Sequence, residues 1–243
     1  MAHSSTEQLR QSAIRLRDAV DGLSFEPPVA VTSNPLNYAW SIHEAYLRRY
    51  GAGPKQVVFL GMNPGPFGMG QTGVPFGEVA AVRDWLGLAG PVKRPGLEHP
   101  KRPIQGFDCP RSEVSGRRLW GLFASRFPSA DAFFKDHFVV NYCPLLFASD
   151  TGANLTPDKM KESETRPLFQ ACDEHLRSVV AALRPRWVVG VGGFAENRAR
   201  DALAGMAEVR ISRILHPSPA SPAANRGWAE AATRELVAAG IWS

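Results

Sequence analysis

The chain has 243 residues, 44% of them hydrophobic, which suits a single α/β domain with a substantial core and argues against two complete domains. Lys and Arg total 28 against 23 acidic residues, a net charge of +5 that permits an anionic partner without proving one. Three cysteines, at 109, 143 and 172, form no C-x-x-C pair and are too few for a four-cysteine iron–sulfur cluster. Reduced thiols in a cytosolic or nuclear compartment are the expectation. No apolar run reaches the roughly 18 residues of a membrane span, and no signal-peptide pattern opens the chain. Neither membrane association nor secretion is expected.

Taken in chain order, residues 4–23 read as a helix. Leu9, Ala13, Leu16, Val20 and Leu23 form one apolar stripe, and Ser4 with Glu7 has capping-box spacing. Val57–Leu60 is the first of four short β-rich runs. It leads into Gly61-Met-Asn-Pro-Gly-Pro-Phe-Gly-Met69, which places Asn63 just past a strand end. Residues 61–73 hold five glycines, but the Lys-Ser/Thr ending of a P-loop is missing, so triphosphate binding is disfavoured.

Residues 91–118 carry five prolines and seven basic residues, among them Lys93, Arg94, Lys101 and Arg102. Such a loop is either a solvated excursion or a contact surface for phosphates. A helix capped by Ser112 follows, with Val114, Leu119, Leu122 and Phe123. Phe138–Asn141 is the second strand. Pro167 opens a helix whose inner face carries Leu168, Cys172, Leu176, Val179 and Leu183. Trp187–Val191 is the third strand. The Gly190-Val-Gly192-Gly193-Phe-Ala195 stretch after it imitates a dinucleotide fingerprint but follows the wrong strand, and reads as a tight strand-to-helix turn. Val209–Leu215 is the fourth strand, followed by His216-Pro-Ser-Pro219 and a last helix from about Trp228 to Ala238.

Strands that are apolar throughout, alternating with helices, predict an α/β three-layer sandwich with a central four-stranded parallel sheet flanked by helices. In such sheets ligands bind outside the carboxyl ends of the strands, so Asn63 and His216 are expected at one edge. The six histidines do not cluster with cysteines or carboxylates at ligand spacing, and neither a metal nor another cofactor is expected.

The segments Gly61–Glu78, Asn141-Tyr-Cys-Pro-Leu145 and His216–Trp228 resemble, in order, the motifs of the single-strand-selective monofunctional uracil-DNA glycosylases, a group within the uracil-DNA glycosylase superfamily. The resemblance covers roughly residues 25 to the end. It implies one glycosylase domain over 1–243, with an N-terminal helix at 1–24, the basic excursion at 91–118 and a DNA wedge at 218–228. It implies that Asn63 positions the attacking water and His216 stabilises the departing base anion. Asn141 would read the uracil edge and Phe76 stack on its face. Gly65 and Met69 would line the C5 side, and Met62 would contribute backbone contacts. Ser218, Ser221, Asn225 and Arg226 would touch DNA at the wedge, and Lys93, Arg94, Lys101 and Arg102 would meet phosphates.

One departure stands out. The family often has Arg after the second proline of the histidine motif, where this chain has Ala220. The choice between single- and double-stranded substrate is therefore open. The expected activity is excision of uracil and of C5-oxidised forms such as 5-hydroxymethyluracil from DNA by a monomer. No lysine lies in the three motifs, so strand cleavage through a Schiff base is not expected. The compartment would be the cytoplasm and nucleoid in a bacterium, or the nucleus in a eukaryote. The alternatives are excision of xanthine or hypoxanthine on the same fold, a catalytically dead DNA-damage binder, and a nucleotide-binding regulatory domain.

Overall fold

In the computed structural model, residues 4–243 are described; residues 1–3, part of the expected segment 1–24, lie outside the described residues. In chain order the elements are α1 (Ser5–Asp21), β1 (Val31–Ser33), α2 (Pro35–Tyr38), α3 (Trp40–Tyr50), β2 (Val57–Gly61) and α4 (Met69–Thr72). Then come α5 (Val114–Arg126), α6 (Ala130–Asp136), β3 (His137–Asn141), β4 (Leu146–Ala148) and β5 (Asn154–Leu155). Finally, α7 (Glu162–Leu183), β6 (Trp187–Val191), α8 (Gly193–Ala202), β7 (Arg210–Ile214) and α9 (Trp228–Ala238) complete the chain.

The four expected strands form one sheet in the order β3-β2-β6-β7, every pair parallel. Helices flank it, giving the α/β sandwich that the sequence predicts. Residues of β2 and β3 are buried throughout, as strands covered on both faces must be. The strand β7 differs: only Ile214 is buried. It is one of the two outer strands of the sheet, and Arg210 and Arg213 on it face solvent, a charged edge that resists pairing with other chains. The register sets Gly61 beside Asn141, so the two strand ends are level.

Large aromatic side chains fix the sheet between its layers. Phe59 of β2 packs near Phe123, whose ring stacks on Phe133 with centroids 4.3 Å apart. Elsewhere Tyr46 packs on Phe138 and donates its hydroxyl to the Val139 carbonyl at 2.8 Å. Aromatic pairs of this kind contribute roughly 0.5–1.5 kcal/mol each beyond their buried area. No described helix is long and apolar enough to cross a membrane.

Several boundaries differ from expectation. Ser4 does cap α1, accepting the Glu7 N–H, and Leu9, Ala13, Leu16 and Val20 are buried as the stripe requires. The helix α7 begins at Glu162, five residues before Pro167. The proline costs little there because the carbonyl it leaves unserved, that of Ser163, lies in the first turn at an exposed residue. Its five inner-face residues are all buried. Glu113, not Ser112, is the N-cap of α5, and its side chain makes no capping hydrogen bond. The basic excursion therefore ends at 113, with 114–118 already helical. A second, antiparallel sheet of order β1-β4-β5 was not foreseen; strands of two or three residues are too short to show alternation.

The excursion is not a free loop. The fully buried Gln71 clasps it: Oε1 accepts the N–H groups of Gln105 and Gly106, and Nε2 donates to the carbonyls of Pro66 and Pro103.

Candidate active site

The carboxyl ends of β2, β3 and β7 open on one cavity of about 270 Å³. That is below the roughly 300–1,000 Å³ typical of drug-sized ligands and suits a smaller one. Asn63, Phe76, Asn141 and His216 all line it, although Asn63 and His216 lie on separate segments beyond β2 and β7. Met62, Gly65 and Ser218 line it too.

Each polar group has one side occupied and one free. Asn63 Nδ2 donates to the Leu145 carbonyl at 3.3 Å. This bond fixes the amide orientation and leaves Oδ1 as an acceptor toward the cavity. His216 Nδ1 accepts the Ser218 backbone N–H at 3.1 Å. The neutral ring must then carry its proton on Nε2, which has no partner among the described residues. Burial holds the His216 pKa below the ordinary histidine range, so the ring is neutral near pH 7. Gly192, at φ +93°, lets the chain pass close to this ring; a Cβ there would lie 3.1 Å from His216 Cβ.

Asn141 ends β3, and its Nδ2 lies 3.3 Å from Met69 Sδ. Its Oδ1 is buried without a hydrogen-bond partner. An unpaired buried acceptor costs about 1–3 kcal/mol, and this one is open to a donor. Gly61 makes room for it: a Cβ there would overlap Asn141 Oδ1 and lie 2.5 Å from Phe76 Cε2. Met69 is buried behind Asn141 and does not itself line the cavity. The residue after Asn141 anchors the turn. Tyr142 donates to Asp173 at 2.7 Å and accepts from Arg198 Nε at 2.9 Å.

Phe76 has φ +52°, uncommon for a non-glycine residue. Its carbonyl accepts the Trp120 indole N–H at 3.0 Å and the Glu78 N–H at 2.7 Å, which hold the conformation. The ring sits 6.3 Å from that of His216, centroid to centroid. The cavity thus has a flat apolar wall, an amide at one edge, an imidazole N–H at another and an acceptor beside it.

The Uracil DNA glycosylase superfamily model matches residues 49–237. The single-strand selective monofunctional uracil DNA glycosylase of Bos taurus is 51% identical over 239 residues, spanning 98% of this chain and 88% of the relative. That of Mus musculus is 52% identical over 235 residues, spanning 96% and 84%. The chain belongs to the single-strand selective monofunctional uracil-DNA glycosylase family. The crystal structure of wild-type SMUG2 from Pedobacter heparinus, 20% identical, aligns with a TM-score of 0.67 over 94% of this chain and 97% of that one, and shows the same fold.

In this glycosylase-family chain the expected DNA-contacting residues fall in three places. Ser218 is at the cavity mouth, its Oγ accepting the Ala220 N–H. Ser221 caps a turn through the Ala224 N–H, and Asn225 is held by Arg118 at 2.8 Å and by the Pro219 carbonyl. Arg118 also donates to the Pro217 carbonyl at 3.0 Å, so it staples the segment after His216 to α5. Arg226 and Ala220 are exposed. Arg102 and Arg111 lie over the Phe67 ring, two residues from Gly65, and Lys101 is exposed beside Arg102. Lys93 and Arg94 instead border a separate recess with Asp21 and Asn37, and Arg94 pairs with Glu98. The structure does not bring them to the cavity.

Sequence reasoning missed Glu113, Ser115, Asn154 and Thr156, which also line the cavity. Asn154 and Thr156 come from the unforeseen small sheet and the turn after it. Glu113 stands in no motif of the sequence. Its signal was the glycine pair that has to make room for it, legible only in three dimensions.

Proposed function

We propose that this protein is a monofunctional uracil-DNA glycosylase that hydrolyses the bond between uracil and deoxyribose. The single observation that carries the reading is the buried, unpartnered Asn141 Oδ1 in the cavity shared by Asn63 and His216. Uracil presents an N3–H donor and an O4 acceptor on one edge. Asn141 Oδ1 takes the N3–H, and its Nδ2 turns from the Met69 sulfur, a weak acceptor, to O4. Cytosine reverses both roles and leaves buried groups unpaired, at about 1–3 kcal/mol each.

The base stacks on Phe76, with O2 against His216 Nε2–H. As the N1–C1′ bond breaks, its electron pair passes to the base and positive charge grows at C1′. His216 stabilises the developing anion at O2; a positioned donor of this kind contributes about 3–4 kcal/mol in a dry site. Asn63 Oδ1 accepts a hydrogen from the attacking water and aims its oxygen at C1′. An oxocarbenium-like centre needs only a weak nucleophile, so a neutral amide suffices. The water proton leaves to solvent, and the released uracil anion takes one up.

The base must leave the stack to enter this cavity, at a cost of a few kcal/mol that is smallest for unpaired bases. Residues 218–228 serve as the wedge, with Ser218 and Arg226 as DNA contacts. Ser221 and Asn225 shape that segment, and Lys101, Arg102 and Arg111 meet phosphates beside the mouth. Ala220, small and exposed, makes the wedge blunter and favours single-stranded substrate. 5-Hydroxymethyluracil is a further substrate, and one domain carries the activity. The deciding experiment is incubation with an end-labelled uracil-containing strand, then alkali. A cut at the uracil position supports the reading; intact strand with tight binding would favour the non-catalytic binder.

A further inference from the structure

Glu113 stands on the cavity wall at the start of α5. Two glycines shape themselves around its carboxyl: a Cβ on Gly65 would overlap Oε1, and one on Gly68 would overlap Oε2. Oε2 is buried with no hydrogen-bond partner. No cation pairs with the group among the described residues, and the acid whose charge acts on it, Glu78, is itself buried. A buried carboxylate oxygen without a hydrogen-bond partner is costly, and the Gly116 amide at the start of α5 gives only a weak opposing pull. Its place is explained if it meets a ligand.

The placement of the base says which part it meets. Asn141 takes N3–H and O4, His216 takes O2, and N1 points out toward the sugar. The remaining edge, C5 with C6, faces the turn Gly65–Gly68 on which the Glu113 carboxyl lies. We infer that Glu113 is a specificity-determining residue, hydrogen-bonding a hydroxyl-bearing substituent at C5 of the excised uracil. The inference rests on the glycosylase reading above. A bare uracil leaves the carboxyl to water, whereas a 5-hydroxymethyl group presents an O–H directly to it.

The carboxyl has two states with different preferences. Burial first, then the charge of Glu78, push its pKa up to about 7, against a smaller opposing pull from the Gly116 amide. Above that pH the carboxylate accepts from the hydroxymethyl O–H in a charge-assisted bond, roughly twice as strong as a neutral one. Below it the neutral acid offers only an ordinary bond. Glu78 acts on the carboxyl through its charge without lining the cavity, and His216 lines the cavity with Glu113; both act on either substrate alike.

The test is the ratio of kcat/KM for 5-hydroxymethyluracil to that for uracil, in single-stranded oligonucleotides, from pH 6 to 8. In the unmodified protein the ratio should rise about fivefold with pH, the step from a neutral to a charge-assisted bond. In Glu113→Gln, which keeps the side-chain volume, it should be flat. A flat ratio in the unmodified protein overturns the inference, whether or not the variant folds. A rise that persists in Glu113→Gln overturns it too. Absence of uracil excision by the unmodified protein at any pH would instead strike the glycosylase reading itself.

Discussion

Asn63 and His216 hold opposite hydrogen-bonding offers to one cavity: the amide keeps an oxygen free because Leu145 takes its N–H, and the imidazole keeps an N–H free because Ser218 fills Nδ1. One accepts and the other donates, the pairing that the proposed water attack and departing base anion require. Asn63→Ala and His216→Ala should therefore each lower single-turnover excision by about 10²–10³-fold while binding to uracil-containing DNA persists. Excision at the unmodified rate by either variant would remove that residue from the chemistry.

Gly61→Ala should abolish uracil selectivity before it abolishes folding. The new methyl meets Asn141 and Phe76 together, so both must move off their positions. Overpacking of this kind costs about 1–3 kcal/mol in stability. The expected result is a modest drop in melting temperature with at least about a hundredfold loss in kcat/KM. A variant that retains excision would show that Asn141 does not need its observed position.

Arg118→Ala should free the segment after His216. Its two hydrogen bonds, to Pro217 and Asn225, tie that segment to α5. We expect about a tenfold fall in kcat on single strands, faster proteolysis near residue 220 and unchanged thermal stability within about 0.5 kcal/mol. Intact turnover with an intact loop would mean that Pro217 and Pro219 suffice to hold it.

Salt dependence should separate the two groups of basic residues. Arg102→Ala with Arg111→Ala should flatten the logarithmic salt slope of DNA binding by about one unit for each phosphate no longer neutralised. Arg94→Ala should leave it unchanged, since Arg94 lies in a different recess and already faces Glu98. Equal effects would place DNA across both surfaces.

Stability should fall as pH drops below neutrality. Burial holds His43 and His175 at about 4, well under the unfolded value of 6.5. Between those values the unfolded chain binds the extra protons, so stability is present above about pH 6.5 and is lost toward pH 4. Each contributes on the order of 3 kcal/mol by the lower limit. Glu113, raised to about 7, acts in the opposite sense but is a single group against two. His175→Gln should shallow the melting-temperature profile over that interval; an unaltered profile would refute the assignment.

The four-stranded sheet was legible because its strands are short apolar runs covered on both faces, and the ligand edge followed from their parallel order. Asn63 and His216 were legible because each follows such a run within a proline-framed turn. What escaped the sequence depends on contacts without local pattern. Glu113 is hidden because its meaning comes from Gly65 and Gly68, in a distant part of the chain. The start of α7 was misplaced because a proline marks a helix opening only as a tendency. Lys93 and Arg94 share a loop with Arg102 yet face a different recess, because neighbours along a loop need not point one way.

Asn141 is itself the last residue of β3, in register with Gly61 of β2, whereas His216 stands on a turn past Ile214, the last residue of β7. In the proposed reaction, molecular identity is thus judged from within the sheet, and speed is set by a residue on a turn beyond it. Changes to the outer turn should make a slower catalyst with undiminished discernment, so that rate and fidelity can drift apart over evolutionary time.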